Sequence, residues 1–261
     1  MTLVWTPGFN YDTNASAYID AVEVADGQAL ETATRYAIND FVIGCKNDGI
    51  WNAIKASCIL AGARTLAGAL VPLVGTAPTN NNFVSGDYNR ETGLVGNGST
   101  KYLNTNRNNN ADPQDSHSQG VFVHTAQPSG SAGYIGVATG AITGATHIGV
   151  SYGSSSVFFR SRAITSSTSS GLQGSTGLLG TTRSSGSSFT FRVASASTTS
   201  NTASETSASG NVYVFARNVS DAIDVPTSGR LQFYWIGESL DLALLDARVT
   251  DLINAFAAAI P

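Results

Sequence analysis

A chain of 261 residues with 42% hydrophobic residues can bury a full core, so one large domain, or one domain with a small appendage, is expected. Only 12% of the residues are charged, about half the usual share, and the net charge is −4. This balance excludes the basic face that nucleic-acid binding requires and leaves Ser, Thr, Asn and Gly to cover the surface.

Residues 1–18 carry Trp5, Pro7, Phe9 and Tyr11 without a period and read as an extended arm that docks its aromatics. They lack the basic and apolar regions of a secretory signal. Asp26 is expected to cap a helix over 28–46, with Leu30, Tyr36 or Ala37, Phe41 and Cys45 as its apolar stripe. Asn47-Asp48-Gly49 ends it, and the spacing of Trp51, Ile54, Ile59 and Leu60 predicts a second helix over 50–60. A short third helix is marked by Leu66 and Leu70 and closed by Pro72 and Gly75. The apolar stretch 56–74 is broken by Gly62, Arg64 and Gly68, so no membrane span is expected. Cys45 and Cys58 lie at different distances from the 47–49 turn. They are read as too far apart for a disulfide and as buried free thiols, in keeping with cytoplasmic synthesis.

Residues 76–82 read as a linker, after which the period changes to two. Strands are predicted over 120–125, 146–152, 157–161, 188–193, 211–217 and 230–236. The last of these has bulky groups on both faces, which places it mid-sheet with Tyr234 and Trp235 in the core. The Ser-rich stretches 166–175 and 195–209 read as loops or weak edge strands. A final helix follows, capped by Ser239 or Asp241. Its residues Leu242, Leu245, Val249, Leu252 and Phe256 are spaced 3-4-3-4. This seam either packs on the chain's own N-terminal helices or meets the same helix in neighbouring subunits, which would make a homotrimer. Helices segregated to the two ends of a long β stretch predict a mostly β fold, one sandwich with helices packed on it.

Nothing reads as a catalytic centre. There is no nucleophile elbow and no phosphate-binding glycine loop. Asp115-Ser116-His117-Ser118 holds the residue types of a hydrolase triad, but triad members converge from separate elements. His117, His124 and His147 lack a metal spacing. The acids of the β region (Asp87, Glu91, Asp112, Asp115, Glu205, Asp221, Asp224 and Glu238) are not paired on one strand face. No enzyme activity, metal or cofactor is therefore expected. One polar cluster offers oxygen atoms at spacings a calcium or glycan loop uses: Asn104, Asn106, Asn108, Asp112 and Asp115. Arg107 and the missing glycine leave a plain turn-rich connection open as well.

Three motifs carry a family resemblance: Gly93-Leu-Val-Gly-Asn-Gly-Ser-Thr-Lys-Tyr-Leu-Asn-Thr-Asn106, Ile236-Gly-Glu-Ser-Leu-Asp-Leu-Ala-Leu-Leu-Asp-Ala-Arg248, and Ala37-Ile-Asn-Asp-Phe-Val-Ile-Gly-Cys-Lys-Asn-Asp-Gly-Ile-Trp-Asn-Ala-Ile54. Together they resemble tailed-bacteriophage virion proteins with a concanavalin A/laminin-G-like jelly roll. The resemblance implies an arm and helical module over 1–75, a jelly roll over 76–238 and a C-terminal helix over 239–261. It further implies a non-enzymatic structural component of the virion, a tail-associated, fibre or capsid decoration protein assembled in the host cytoplasm. Such a component oligomerises and contacts other phage structural proteins. The alternative is a lectin-like module that recognises a host surface glycan.

Overall fold

The computed structural model describes residues 11–260. Trp5, Pro7 and Phe9, expected to dock as an arm, lie outside the described residues. Helix α1 (Thr13–Asp26) begins within the stretch expected to be extended. The Asp12 carboxylate accepts the Asn14 N–H at 2.9 Å and caps the helix. Ala15, Tyr18, Ile19 and Val22 then recur at helical spacing and are buried. Asp26 is no N-cap. Its carboxylate accepts the backbone N–H groups of Arg64 and Thr65, at 2.7 and 2.8 Å, and the Thr65 hydroxyl at 2.7 Å. Helix α2 (Thr32–Asn47) buries Ala37, Phe41 and Cys45 as expected.

The predicted second helix is replaced by one 3-10 turn (Trp51–Ala53) and a strand, β1 (Ile54–Ile59). Short apolar runs do not distinguish a buried strand from a helix by spacing alone. Here a long-range ladder decides, with Ser57 opposite Trp235 and Cys58 opposite Tyr234. Cys45 and Cys58 are both free and buried, and burial pushes each thiol up to about 12. Helix α3 (Leu66–Ala69) is the expected short helix.

The strands that follow, in chain order, are β2 (Thr79–Asn81), β3 (Tyr88–Asn89), β4 (Gly93–Val95), β5 (Tyr102–Asn108), β6 (His117–Thr125), β7 (Ala132–Ala138), β8 (Thr146–Ser151), β9 (Ser156–Arg160) and β10 (Ser167–Ser170). After them come β11 (Gly177–Arg183), β12 (Phe189–Val193), β13 (Ala196–Ser200), β14 (Asn211–Val214), β15 (Arg217–Val219), β16 (Ala222–Asp224) and β17 (Arg230–Gly237), and α4 (Leu242–Ala259) ends the fold. They form two sheets. The first runs β13-β12-β11-β6-β17-β4-β3, with β1 also paired to β17. The second runs β10-β9-β8-β7-β14-β5-β2, with the β15–β16 hairpin attached at β7. The fold is thus mostly β, a two-sheet sandwich with N-terminal helices and a C-terminal helix. The Ser-rich stretches supply the outer strands β10 and β13, as expected. β7 escaped prediction because Ala132, Gly133, Gly136 and Ala138 weaken its strand signal. A Cβ at Gly133 would lie 2.6 Å from His147 Nε2, so the small residue makes room for that ring.

The first sheet is apolar on both faces. Leu179, Val121, Tyr234 and Ile236 face the second sheet and meet Leu103, Ile135, Ile148, Phe159 and Val214. Phe122, Leu178, Phe233 and Trp235 face the helical layer and meet Phe41, Leu245 and Phe256. The seam Leu242, Leu245, Val249, Leu252 and Phe256 is 0–3% exposed within a single chain. It therefore packs on α2 and the sheet, which corrects the subunit-interface reading of these residues: the apolar outer face of β17 is the partner they require. Asp241 caps α4, its Oδ1 accepting the N–H groups of Ala243 and Leu244. Among the described residues no helix is long and apolar enough to cross a membrane.

Ion pairs fasten the helical layer to the sheet. Arg90, between β3 and β4, grips Glu31 through two hydrogen bonds of 2.9 and 2.7 Å, and Arg64 adds a third contact at 3.0 Å. The Arg90 guanidinium holds the Glu31 carboxyl at about 2, below its ordinary 4.5. A depressed carboxyl stabilises the fold above the unfolded-state value, and that contribution is lost as pH falls through about 2. Glu31→Gln should therefore lower the melting temperature at pH 6, with the difference from wild type closing between pH 4.5 and 2 in thermal scans. A difference independent of pH would contradict this. Leu245→Ala should cost about 2–5 kcal/mol in urea unfolding, since it leaves a cavity in the helical core. A midpoint unchanged from wild type would place that side chain outside the core.

Candidate functional site

Helix α4 crosses the outer face of the first sheet and leaves part of it uncovered. A cleft of about 490 Å³ opens there, between one face of α4, the ends of β6 and β11, and the turn joining β3 to β4. Volumes of this order accommodate small ligands. The helix wall is Asp246, Thr250, Ile253, Asn254 and Ala257, which share one face at helical spacing. The floor is Phe122 and Leu178, outward-facing residues of β6 and β11. Glu91, Thr92, His124, Thr176, Ser195 and Gln232 complete the rim.

Local folding sets these groups. Pairing between β17 and β6 shifts register between Leu231 and Phe233. Such an irregularity re-aims side chains. Leu231 faces the sandwich core, Phe233 faces the helices, and Gln232 lines the cleft. The Gln232 amide donates to the Glu91 carbonyl at 2.8 Å and fixes the β3–β4 turn at the rim. Asp246 accepts from Arg192 Nε at 2.8 Å and from the Thr250 hydroxyl at 3.4 Å, so its charge is compensated. Glu91 forms no ion pair among the described residues. The cleft thus combines an apolar, partly aromatic floor with hydroxyls, two amides, an imidazole and one uncompensated carboxylate. Sequence reasoning missed it. The signal was present in the polar positions Asp246, Thr250 and Asn254, which flank the apolar seam of α4.

The polar cluster between β5 and β6 is spread out. Asn104 Oδ1 accepts the Asn106 N–H at 3.0 Å, and Asn106 Nδ2 donates to the Ala77 carbonyl at 2.9 Å and to Thr79 Oγ at 3.1 Å. Asn108 Oδ1 accepts the N–H groups of Asn110 and Gly210 at 3.1 and 3.2 Å. Asp112 is buried and ion-paired with Arg107, and Asp115 accepts the Ser204 hydroxyl at 2.6 Å. These side chains brace turns and neighbouring loops instead of pointing at one centre. A smaller hollow of about 160 Å³ lies beside Asn106, Arg107 and Asn108. Among the described residues no group of three or more His, Cys, Asp or Glu is placed to hold a metal ion.

The triad-like residues diverge too. Ser116 bonds Ser239, Ser118 bonds the Glu238 carbonyl, and His117 is buried between the sheets. His147 is buried under Arg217, and only His124 reaches the cleft. On the outer face of the second sheet, Tyr102 and Tyr213 lie 4.5 Å apart and Arg160 sits 5.7 Å over the Phe158 ring. Tyr213 is covered, with its hydroxyl 3.4 Å from the Asp221 carbonyl of the β15–β16 turn.

No family model and no curated protein matches the sequence. Among solved structures, the NanB sialidase from Streptococcus pneumoniae is similar with a TM-score of 0.43 and 12% identity, over 58% of this chain and 27% of that one. The Ruminococcus gnavus IT-sialidase CBM40 bound to alpha2,6 sialyllactose gives 0.41 and 10%, over 52% of this chain and 84% of that one. The botulinum neurotoxin serotype D binding domain gives 0.48 and 11%, over 77% and 51%. The chain thus spans about a quarter of the length of the sialidase.

Because the 104–115 oxygens are engaged within the chain, EDTA should leave the thermal transition unmoved. A drop in melting temperature that calcium restores would make this segment a metal loop.

Proposed function

We propose that the protein is a non-enzymatic carbohydrate-binding module whose ligand occupies the cleft between α4 and the first sheet. The observation that carries this reading is the cleft's composition. Phe122 and Leu178 offer an apolar floor to the C–H face of a sugar ring, and Thr92, Thr176, Thr250, Asn254 and Gln232 offer neutral groups to its hydroxyls. Such a site offers a polyhydroxylated ligand apolar contact and hydrogen bonds together, with the Glu91 carboxylate at the rim as a further acceptor. Binding without cleavage fits the carboxylates. Hydrolysis requires two, acting on either side of the bond, and Asp246 is already committed to Arg192.

The sequence motifs motivate a virion setting for such a module, with other phage structural proteins as neighbours and a host surface glycan as ligand. The homotrimer expectation loses its principal support, since the seam of α4 is internal. The exposed large apolar side chains are Val24 on α1, Tyr36 and Ile43 on α2, Leu244 on α4, and Val84 and Ile164 in loops.

A glycan array followed by calorimetry tests the proposal. The wild-type chain should bind a glycan set without releasing reducing sugar. Asn254→Trp and Glu91→Gln should each weaken binding about tenfold or more, equivalent to about 1.4 kcal/mol, with the melting temperature preserved. A blank array, or affinity indifferent to both changes, would contradict the assignment of the site, and sugar release would contradict the absence of catalysis.

A further inference from the structure

A second site lies inside the sandwich, independent of the cleft. Along β6 and β11 the inward face changes from apolar to polar, with Gln119 opposite Thr181 and His117 opposite Arg183. The segment after β9 brings Ser161 and Arg162 against them from the second sheet, and Arg183 donates to the Ser161 carbonyl from Nε at 3.1 Å and from Nη2 at 2.7 Å. All six side chains are fully buried. Seven of their polar atoms find no hydrogen-bond partner among the described residues: both ring nitrogens of His117, both amide atoms of Gln119, Ser161 Oγ, Thr181 Oγ and Arg162 Nε. Buried polar groups are costly to leave unmet, so this many in one place call for an occupant.

The charges indicate what it is. Arg162 donates to the carbonyls of Pro113, Asn109 and Asp112, and Arg183 to those of Ser161, Ser185, Ser188 and Thr202. Among the described residues neither has a carboxylate in contact. The charges that act on Arg162 are Arg107 and Arg183 on one side and Asp112 and Asp115 on the other. Three guanidinium groups therefore face two carboxylates, which leaves one positive charge in a region of low dielectric. Glu205 is turned to the amides of Gly144 and Ile164. Burial, together with Arg162, Arg107 and Arg183, also holds the His117 imidazole well below the ordinary histidine range. Water would meet the hydrogen bonds and leave the charge in place. A small anion meets the charge and the donors Arg162 Nε, Gln119 Nε2 and the hydroxyls of Ser161 and Thr181.

We propose that this end of the sandwich binds one monovalent halide-class anion, held by Arg162 Nε, the Gln119 amide and the hydroxyls of Ser161 and Thr181. Its role is to join the two sheets where the apolar core stops.

The test uses the full chain. Crystals soaked in sodium bromide should show an anomalous peak among Arg162 Nε, Gln119 Nε2 and Thr181 Oγ. In solution, replacing gluconate, too bulky for an enclosed site, by chloride at constant ionic strength should raise the melting temperature by about 5–10 °C at a hundredfold excess over the dissociation constant. Thr181→Val keeps the side-chain shape and should lose at least half of that rise while still folding. Gln119→Leu serves as a second variant with the same expectation. The bromide peak decides the question: its absence, with only water in the density, overturns the proposal whatever the melting data.

Discussion

The structure depends on one strand that must be covered twice. β17 is buried from Leu231 to Gly237, with Tyr234 and Ile236 turned to the sandwich core and Phe233 and Trp235 turned the other way. A two-layer sandwich would leave Phe233, Trp235, Phe122 and Leu178 in water. Burying a side chain of this size is worth about 1.5–3 kcal/mol, so the outer face demands a third layer, and α1, α2 and α4 supply it. The N-terminal helices and the C-terminal helix are therefore parts of the same core, not appendages to a β domain. β1 makes the dependence explicit, because it leaves the helical module and pairs with β17 itself.

The cleft follows from the same constraint. One 18-residue helix cannot roof a sheet of this width, and the uncovered strip lies beside α4, over the ends of β6 and β11. The few charges of the chain are spent at joints. Arg248 grips Asp48, Arg192 grips Asp246, and Arg90 with Arg64 grips Glu31, each pair linking a helix to another element. The cleft is thus bordered by rigid elements held in fixed relation, which suits selective recognition of a ligand at little cost in ordering.

Much of the fold was legible because burial leaves a periodic trace. The seam of α4 and the double-faced apolar pattern of 230–236 announced the two surfaces that now meet. What periodicity could not supply was the partner: a seam spaced 3-4-3-4 fits a neighbouring helix or a sheet face equally well, and only the outer face of β17 settled it. The 50–60 segment was misread for a related reason, since its conformation is imposed by a ladder to residues far along the chain. The candidate site was scarcely legible. It is assembled from single residues on separate elements, and its floor residues, Phe122 and Leu178, look like ordinary core until the width of α4 is known. The asparagine cluster drew notice through composition, yet its side chains close their own turns.

The central claim, that the cleft receives a sugar, is tested most directly by following backbone amide shifts while an array-selected glycan is titrated into labelled protein. The account predicts saturable shifts centred on Thr176, Gly177, Thr250 and Asn254. Shifts centred on the outer face of the second sheet, around Tyr102 and Arg160, would contradict it.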